Sequence, residues 1–398
     1  MVLLVLLILN ETNTKLSYLS LVPHLKSLRV CGYYQMDSKA PSVQKFIHTV
    51  YRRLVLGLMI LYLTQQSMKV YQVRSDSVQV METILLSLTF WNTMYKVCTI
   101  WLRAPLVEEL LETMKGPVFN QGIPSHDVLL QATCRRAVIL LRGFQCLSVT
   151  VAVSWSLYPM ILHMKGYYAP FTIWFPFDET ADPFYYATLY TFLQLCWIAF
   201  GNSAMDSFIS FIFVQSKTQI AILRLDTETL IERSKEVASV TGMEFTNLFF
   251  KIIYRFNRKV QKIFGSVIIL QFMLSGWILC ATTYKMLSPL SVDFIATGMY
   301  LMCMLWESFL LCYYGNDLRV ESEYLLDSAY MMDWVQLPLS HRKTLILFME
   351  RIKRPMQLLG GGIIPLTNGT FIMVRIRSSS SSSTKFKSKL NCNETKSR

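Results

Sequence analysis

The sequence predicts an all-α integral membrane protein: a seven-helix bundle with an intracellular N-terminus and a last membrane helix that is truncated. Three observations lead there. Of 398 residues, 53% are apolar and only 16% charged, and mean hydropathy is +0.35, a balance that suits a polytopic membrane chain better than a soluble domain. The apolar residues gather into runs close to the ~20 needed to cross about 30 Å of hydrocarbon as a helix. Lys and Arg are unevenly shared between connections: 7, 4, 9 and 6 fall in residues 10–53, 103–136, 214–262 and 313–354, against only Lys69, Arg74, Lys165 and Lys285 in the alternate ones. Basic loops stay in the cytoplasm, so the N-terminus is expected inside the cell.

Taken in order, the chain divides into a cytoplasmic N-terminal segment, 1–50, a transmembrane domain, 51–374, and a polar low-complexity tail, 375–398. The apolar opening, 1–9, has neither a basic leader nor a cleavage site and is too short to span, so it reads as a membrane-surface segment or a misassigned start. Six runs read as spans: 54–68, 78–102, 137–162, 187–214, 264–283 and 292–313. A seventh, 356–374, is marginal, because Gly360, Gly361, Gly362, Pro365 and the polar run 367–370 weaken a lipid-facing helix. The glycine triplet reads as a break between two helices, and Pro365 as the first turn of the last one.

Between the fourth and fifth spans, Phe245, Leu248, Phe249, Ile252, Ile253, Phe256, Val260, Ile263 and Phe264 recur at helical spacing. Lys251, Arg255, Arg258, Lys259 and Lys262 take the other face, so an amphipathic helix should run from the cytoplasm straight into span five. It would lie on the inner leaflet or pack against other subunits. After span six, 318–332 reads as a separate cytoplasmic helix closed by Trp334 and Pro338. Ser340 is the expected N-cap of a further helix through about Met356, which carries too many charges for lipid.

The formal charge of +13 sits mostly in the cytoplasmic connections and the tail, which points to anionic lipid rather than nucleic acid. Nine cysteines include no CxxC and no Cys/His pairing at metal spacing, and none lies in the three outer connections, so neither a metal nor an outer-loop disulfide is expected. There is no phosphate loop, GxSxG or HExxH, and no cofactor or enzymatic activity is expected. Ionisable residues in spans cost on the order of 3 kcal/mol at mid-bilayer. Glu82, Lys96, Arg142, Asp206 and Glu307 are the cases here, and snorkelling or local pairing accounts for most of them. Aromatics crowd the outer ends of spans three and four, where they could form an interfacial belt or line an apolar cavity; Trp155, Tyr158 and Tyr186 are the candidate ligand contacts.

Two stretches carry a family resemblance. One holds Tyr314-Gly315-Asn316, Leu318, Glu321-Ser322, Ala329-Tyr330, Trp334, Arg342-Lys343, Met349, Pro355, Gly362, Pro365-Leu366 and Thr370-Phe371, in order over more than sixty residues. The other is the loop from Pro170 to Asp178, PFTIWFPFD, followed by Pro183-Phe184-Tyr185-Tyr186. Together they resemble the insect odorant receptors. The resemblance implies a subunit of a ligand-gated cation channel, assembled with the shared odorant receptor coreceptor into a heteromer expected to be tetrameric, in the plasma membrane of olfactory sensory neurons. It implies a pocket for a small volatile odorant in the outer half of the bundle between spans two, three, four and six. It also implies an intracellular bundle of helices four to seven, where Trp334 and Phe371 are candidate interface residues. A gustatory receptor, a G-protein-coupled receptor and a secondary transporter are the alternatives. The chain departs from the family after Val374: Arg375, Arg377 and six consecutive serines replace the rest of the pore helix. Ten residues from Pro365 reach about 15 Å, half a bilayer, and the remainder reads as a disordered tail or the product of a misjoined final exon.

Overall fold

The computed structural model describes residues 15–37, 40–166, 171–176, 184–229, 239–286, 294–332, 334 and 339–373. Two short helices come first, α1 (Leu16–Leu19) and α2 (Val22–Val30). The long ones follow: α3 (Ser42–Gln72), α4 (Ser77–Leu102), α6 (Pro124–Met164), α7 (Phe184–Glu228), α8 (Ser239–Met286) and α9 (Phe294–Met331). Between α4 and α6 lies the amphipathic α5 (Ala104–Lys115), and after α9 comes α10 (Leu339–Ile352). Among the described residues, α3, α6, α7, α8 and α9 are long and apolar enough to cross a membrane. Prolines mark starts as their fixed φ favours: α6 opens on Pro124, and α2 and α5 carry proline in the first turn.

Several expected breaks are absent. The expected span six and the cytoplasmic helix after it are one continuous α9 of 38 residues, about 57 Å at 1.5 Å per residue and nearly twice the hydrocarbon thickness. Likewise α7 runs through the basic connection to Glu228. No proline interrupts either helix, so nothing in the backbone stops them at the membrane surface. The amphipathic segment before span five does continue into it as α8, with Phe249, Ile253, Phe256, Val260, Ile263 and Phe264 all buried. Leu248, on the same apolar list, is exposed.

At the centre stands α7, where every residue from Gly201 to Ser216 is buried. It packs against α6 and α9 along much of its length and against α2, α4 and α8 more locally. The basic end of the bundle holds the largest apolar core, drawn from α1, α2, α5, α7, α8, α9 and α10. Residues 16–34 belong to it: Ser17 Oγ donates to the Phe119 carbonyl at 2.6 Å, and Gln219 Nε2 donates to Ser17 Oγ at 3.1 Å. The helix that Ser42 opens crosses the 50/51 division without a change of packing unit. Two smaller apolar clusters sit toward the other end.

The glycine triplet makes a structure of its own. Leu359–Gly360 pairs antiparallel with Ile364–Pro365 in a small hairpin, β1 and β2, and its turn needs positive φ at Gly361 (60°) and Gly362 (76°). Gly361 N donates to the Gly265 carbonyl of α8 at 2.7 Å. A Cβ at Gly361 would come within 2.8 Å of the Ile269 side chain. Pro365 therefore ends a strand instead of opening a helix. The last helix, α11, starts at 368 and is described to 373, with Thr367 Oγ1 accepting from Thr370 N at 3.2 Å as its cap. Ser340 lies inside the first turn of α10, one residue after its start at Leu339. The expectations for the tail, 375–398, fall outside the described residues.

Two outcomes follow from this packing. The Tyr33 ring lies where a side chain at Gly201 would stand. Gly201→Ala should displace the ring and lower the unfolding midpoint in detergent, at a cost of about 1–3 kcal/mol typical of overpacking; an unchanged midpoint would disprove the close fit. His24, stacked on Phe211 at 5.0 Å, is fully buried, and that burial lowers its pKa to about 3. Below pH 6.5 the unfolded chain binds a proton that the folded chain refuses, so this contribution is whole above pH 6.5 and lost as pH falls toward 3. Between pH 6.5 and 5 the loss reaches about 2 kcal/mol, and His24→Leu should remove that part of the acid sensitivity in a pH series of unfolding midpoints.

Candidate functional site

Two features inside the helical bundle bear on function. The first is a cavity of about 240 Å³ near the end opposite the basic core, walled by α4, α6, α7, α8 and α9 and by the stretch Phe171–Thr172. Leu86, Trp155, Pro159, Phe171, Leu195 and Ala296 supply most of its apolar wall. Its charged rim is an ion pair, with Lys285 Nζ 2.6 Å from Glu82 Oε1 and 5.5 Å from the centre of the Trp155 ring. Thr188, Thr191 and Ser156 also line it, each donating its hydroxyl to a carbonyl one turn back in its own helix.

The second feature lies among α4, α7, α8 and α9. Lys96 Nζ is 2.6 Å from Asp206 Oδ1, 3.0 Å from Glu307 Oε1 and 3.0 Å from Asn202 Oδ1, so three acceptors meet the three N–H bonds of one ammonium. Gln271 Nε2 donates to Glu307 Oε1 at 2.6 Å, and Thr93 Oγ1 donates to Asn202 Oδ1 at 3.1 Å. The charged side chains are no more than 2% exposed. Pairing, with complete burial, therefore accounts for Lys96, Asp206 and Glu307, and none of them snorkels. Glu82 is paired with Lys285, and Arg142 lies on the exposed face of α6.

A line of contacts joins the two features. The Trp155 ring meets Tyr300 edge-on at 6.0 Å, and the Tyr300 hydroxyl is 2.6 Å from Thr89 Oγ1. One turn on, the single Thr93 hydroxyl proton is within reach of both the Thr89 carbonyl, with Oγ1 at 2.9 Å, and Asn202 Oδ1, at 3.1 Å.

Of the sequence candidates, Trp155 lines the cavity. The side chain of Tyr158 lies outside the described residues. Tyr186 is 78% exposed on the outside of α7 and does not line the cavity, because α7 is apolar on all sides here and periodicity could not say which aromatic faces inward. Trp334 and Phe371 are half-buried against the basic-end core, and Phe371 meets the Phe309 ring at 5.8 Å. Sequence reasoning passed over Thr297 and Thr191, whose hydroxyls carry no periodic signal. It treated Lys285 only as a loop charge, although Glu82 had been singled out. Among the described residues no group of His, Cys, Asp and Glu could hold a metal ion.

The charge cluster carries a test. Lys96→Met leaves two buried carboxylates facing each other without a cation, a change worth about 3–5 kcal/mol of destabilisation. The unfolding midpoint of the purified protein should fall sharply, and the triple change Lys96→Met, Asp206→Asn, Glu307→Gln should recover much of the loss. Equal midpoints for Lys96→Met and wild type would mean that the cluster contributes nothing.

Comparison with known proteins gives this architecture its kinship. A family model described as 7tm Odorant receptor matches residues 76–375. Among curated proteins, Odorant receptor 46a, isoform A, of Drosophila melanogaster is 25% identical over 280 residues, covering 69% of this chain and 73% of that one. Odorant receptor 94a of the same fly is 21% identical over 231 residues, covering 56% of this chain. The chain spans only 59%, 51% and 59% of the lengths of Odorant receptors 94a, 22b and 33b. Among solved structures, the insect olfactory receptor OR5 from Machilis hrabei in complex with eugenol superposes with a TM-score of 0.81 at 16% identity, covering 92% of this chain and 97% of that one. The same receptor solved without mention of a ligand gives 0.80 at 18% identity, covering 91% and 96%. The fold is thus the seven-helix, all-α membrane fold of an insect olfactory receptor, and over three-quarters of its length the chain belongs to the 7tm odorant receptor family.

Proposed function

We propose that this chain is an odorant-tuning subunit that binds a small volatile molecule and, with the shared odorant receptor coreceptor, forms a heteromeric, tetrameric ligand-gated cation channel. The observation that carries the reading is the cavity among α4, α6, α7, α8 and α9, apolar over most of its wall with a few polar groups. At about 240 Å³ it lies just below the usual range for drug-sized ligands and suits a small volatile. The match to a receptor solved with eugenol supports a small-molecule ligand of this kind. Trp155 and Tyr158 are the proposed ligand contacts on α6; Tyr186 serves at the lipid interface. Trp334 and Phe371, each with surface left over after packing on the core, are the proposed subunit contacts.

Mechanistically, no bond is made or broken. A ligand that fits the cavity better in the open state shifts a closed-to-open equilibrium by its difference in affinity for the two. The contacts from Trp155 through Tyr300 and Thr89 to Thr93 connect the cavity to the helices that Lys96 holds together. The Lys and Arg asymmetry supports a cytoplasmic N-terminus and basic end; membership of the odorant receptor family supports a place in the plasma membrane of olfactory sensory neurons.

Coexpression with the coreceptor and a panel of volatiles tests the reading. The expected result is a volatile-evoked cation current that needs both chains and is insensitive to guanine-nucleotide analogues. Current from the chain alone, or a response abolished by those analogues, would overturn it.

A further inference from the structure

We infer that the cavity selects volatiles carrying a hydrogen-bond-accepting oxygen, such as ketones, aldehydes and esters, over hydrocarbons of the same shape. The inference rests on the reading of the cavity as the ligand site and adds the chemical class. Its ground is a count of donors in the wall. The hydroxyls of Ser156, Thr188 and Thr191 are spent on their own helices, and the Lys285 ammonium is engaged by Glu82 and the Trp155 ring. Two donors remain. Trp155 Nε1 and Thr297 Oγ1 are both shut off from solvent at the atom, both belong to lining residues, and neither has a hydrogen-bond partner among the described residues. Thr297 as a whole is only 2% exposed.

The sign of the preference follows from the indole. A tryptophan N–H donates and cannot accept, so only an acceptor on the ligand satisfies it. A carbonyl oxygen that reaches either donor satisfies it, whereas a hydrocarbon leaves both unmet. Size limits the rest of the molecule. At about 30 Å³ per water-sized group, 240 Å³ admits roughly eight such groups, so one polar atom on a short apolar skeleton fills the space.

The experiment uses the full chain with its coreceptor and matched pairs of about six to ten heavy atoms. Each pair is a methyl ketone and the alkene in which a methylene replaces the carbonyl oxygen. For pairs that fit, the ketone should half-activate the channel at a concentration about tenfold lower than the alkene, the worth of one good net hydrogen bond. Thr297→Val, which keeps the shape, and Trp155→Phe, which keeps a ring for Tyr300 and Lys285, should each raise the ketone's half-activating concentration by up to about tenfold. The alkene's should shift less in each variant, so that the ketone's lead over it narrows. Equal potency within pairs in the wild type, or equal shifts of ketone and alkene in both variants, would overturn the selectivity while leaving the cavity as the ligand site. Absence of current from any pair and from a wide volatile panel, in channels that surface labelling finds at the membrane, would overturn the ligand-site reading and the selectivity with it.

Discussion

One ammonium group governs the middle of this bundle. Lys96 reaches from α4 to Asp206 and Asn202 on α7 and to Glu307 on α9, and Gln271 of α8 closes on the same carboxylate. Removing either carboxylate or the amine from water costs several kcal/mol, a cost offset only where the geometry is close and the remaining hydrogen-bonding capacity is met. That requirement gives the cluster its structural force, because four helices must hold one mutual position for all the bonds to form together. A buried cation with three acceptors at 2.6–3.0 Å adds a directional constraint to the close packing around it.

That discreteness is what a receptor needs. A bundle held only by dispersion would yield to a small ligand by local adjustment, and nothing would travel. Here the cavity wall and the cluster share α4, α7, α8 and α9, and Tyr300 and Thr89 lie in contact between them. Under the proposed ligand site, a ligand that tilted Trp155 would bear on Tyr300 and through it on the backbone turn that orients Thr93 toward Asn202. The physical warrant is contiguity with a cluster whose short bonds to Lys96 are either made or broken, which makes two arrangements more natural than a continuum.

How much of this could be read beforehand depended on the kind of signal. Span positions were legible because hydrocarbon thickness sets a length, and the α8 face was legible because Phe249, Ile253, Phe256 and Val260 keep a 3.6-residue period. The glycine triplet was seen as a break, but the hairpin it makes depends on the Gly265 carbonyl some ninety-six residues earlier, which no local pattern encodes. Lys96, Asp206 and Glu307 were each conspicuous, while their meeting was not, since the separations of 110 and 211 residues carry no periodicity. Tyr186 lies away from the cavity for a different reason. Where a helix is apolar all round, aromatic character says only that a residue is near the membrane, and Thr297, small and unremarkable in sequence, lines the cavity that Tyr186 does not.

The last helix is tied to the same frame. Leu366 packs so closely on Gly315 of α9 that an ideal Cβ there would stand 2.6 Å from the Leu366 Cβ and 3.0 Å from its carbonyl oxygen. On the other side, Leu366 N donates to the Leu358 carbonyl at 3.1 Å, and the hairpin is bonded to Gly265 of α8. The entry to α11 is thereby fastened to α8 and α9 at Gly265 and Gly315. Gln271 and Glu307 lie six and eight residues away on those same helices, about 9 and 12 Å along their axes. Helices of this length are stiff over such distances, so a rotation of α8 against α9 that breaks the Gln271 to Glu307 bond also moves the two anchors of the final helix relative to each other. The glycines at those anchors are thus a condition of the coupling: a side chain at Gly315 would push Leu366 off α9 and leave the last helix held by the hairpin and by the contact of Phe371 with Phe309.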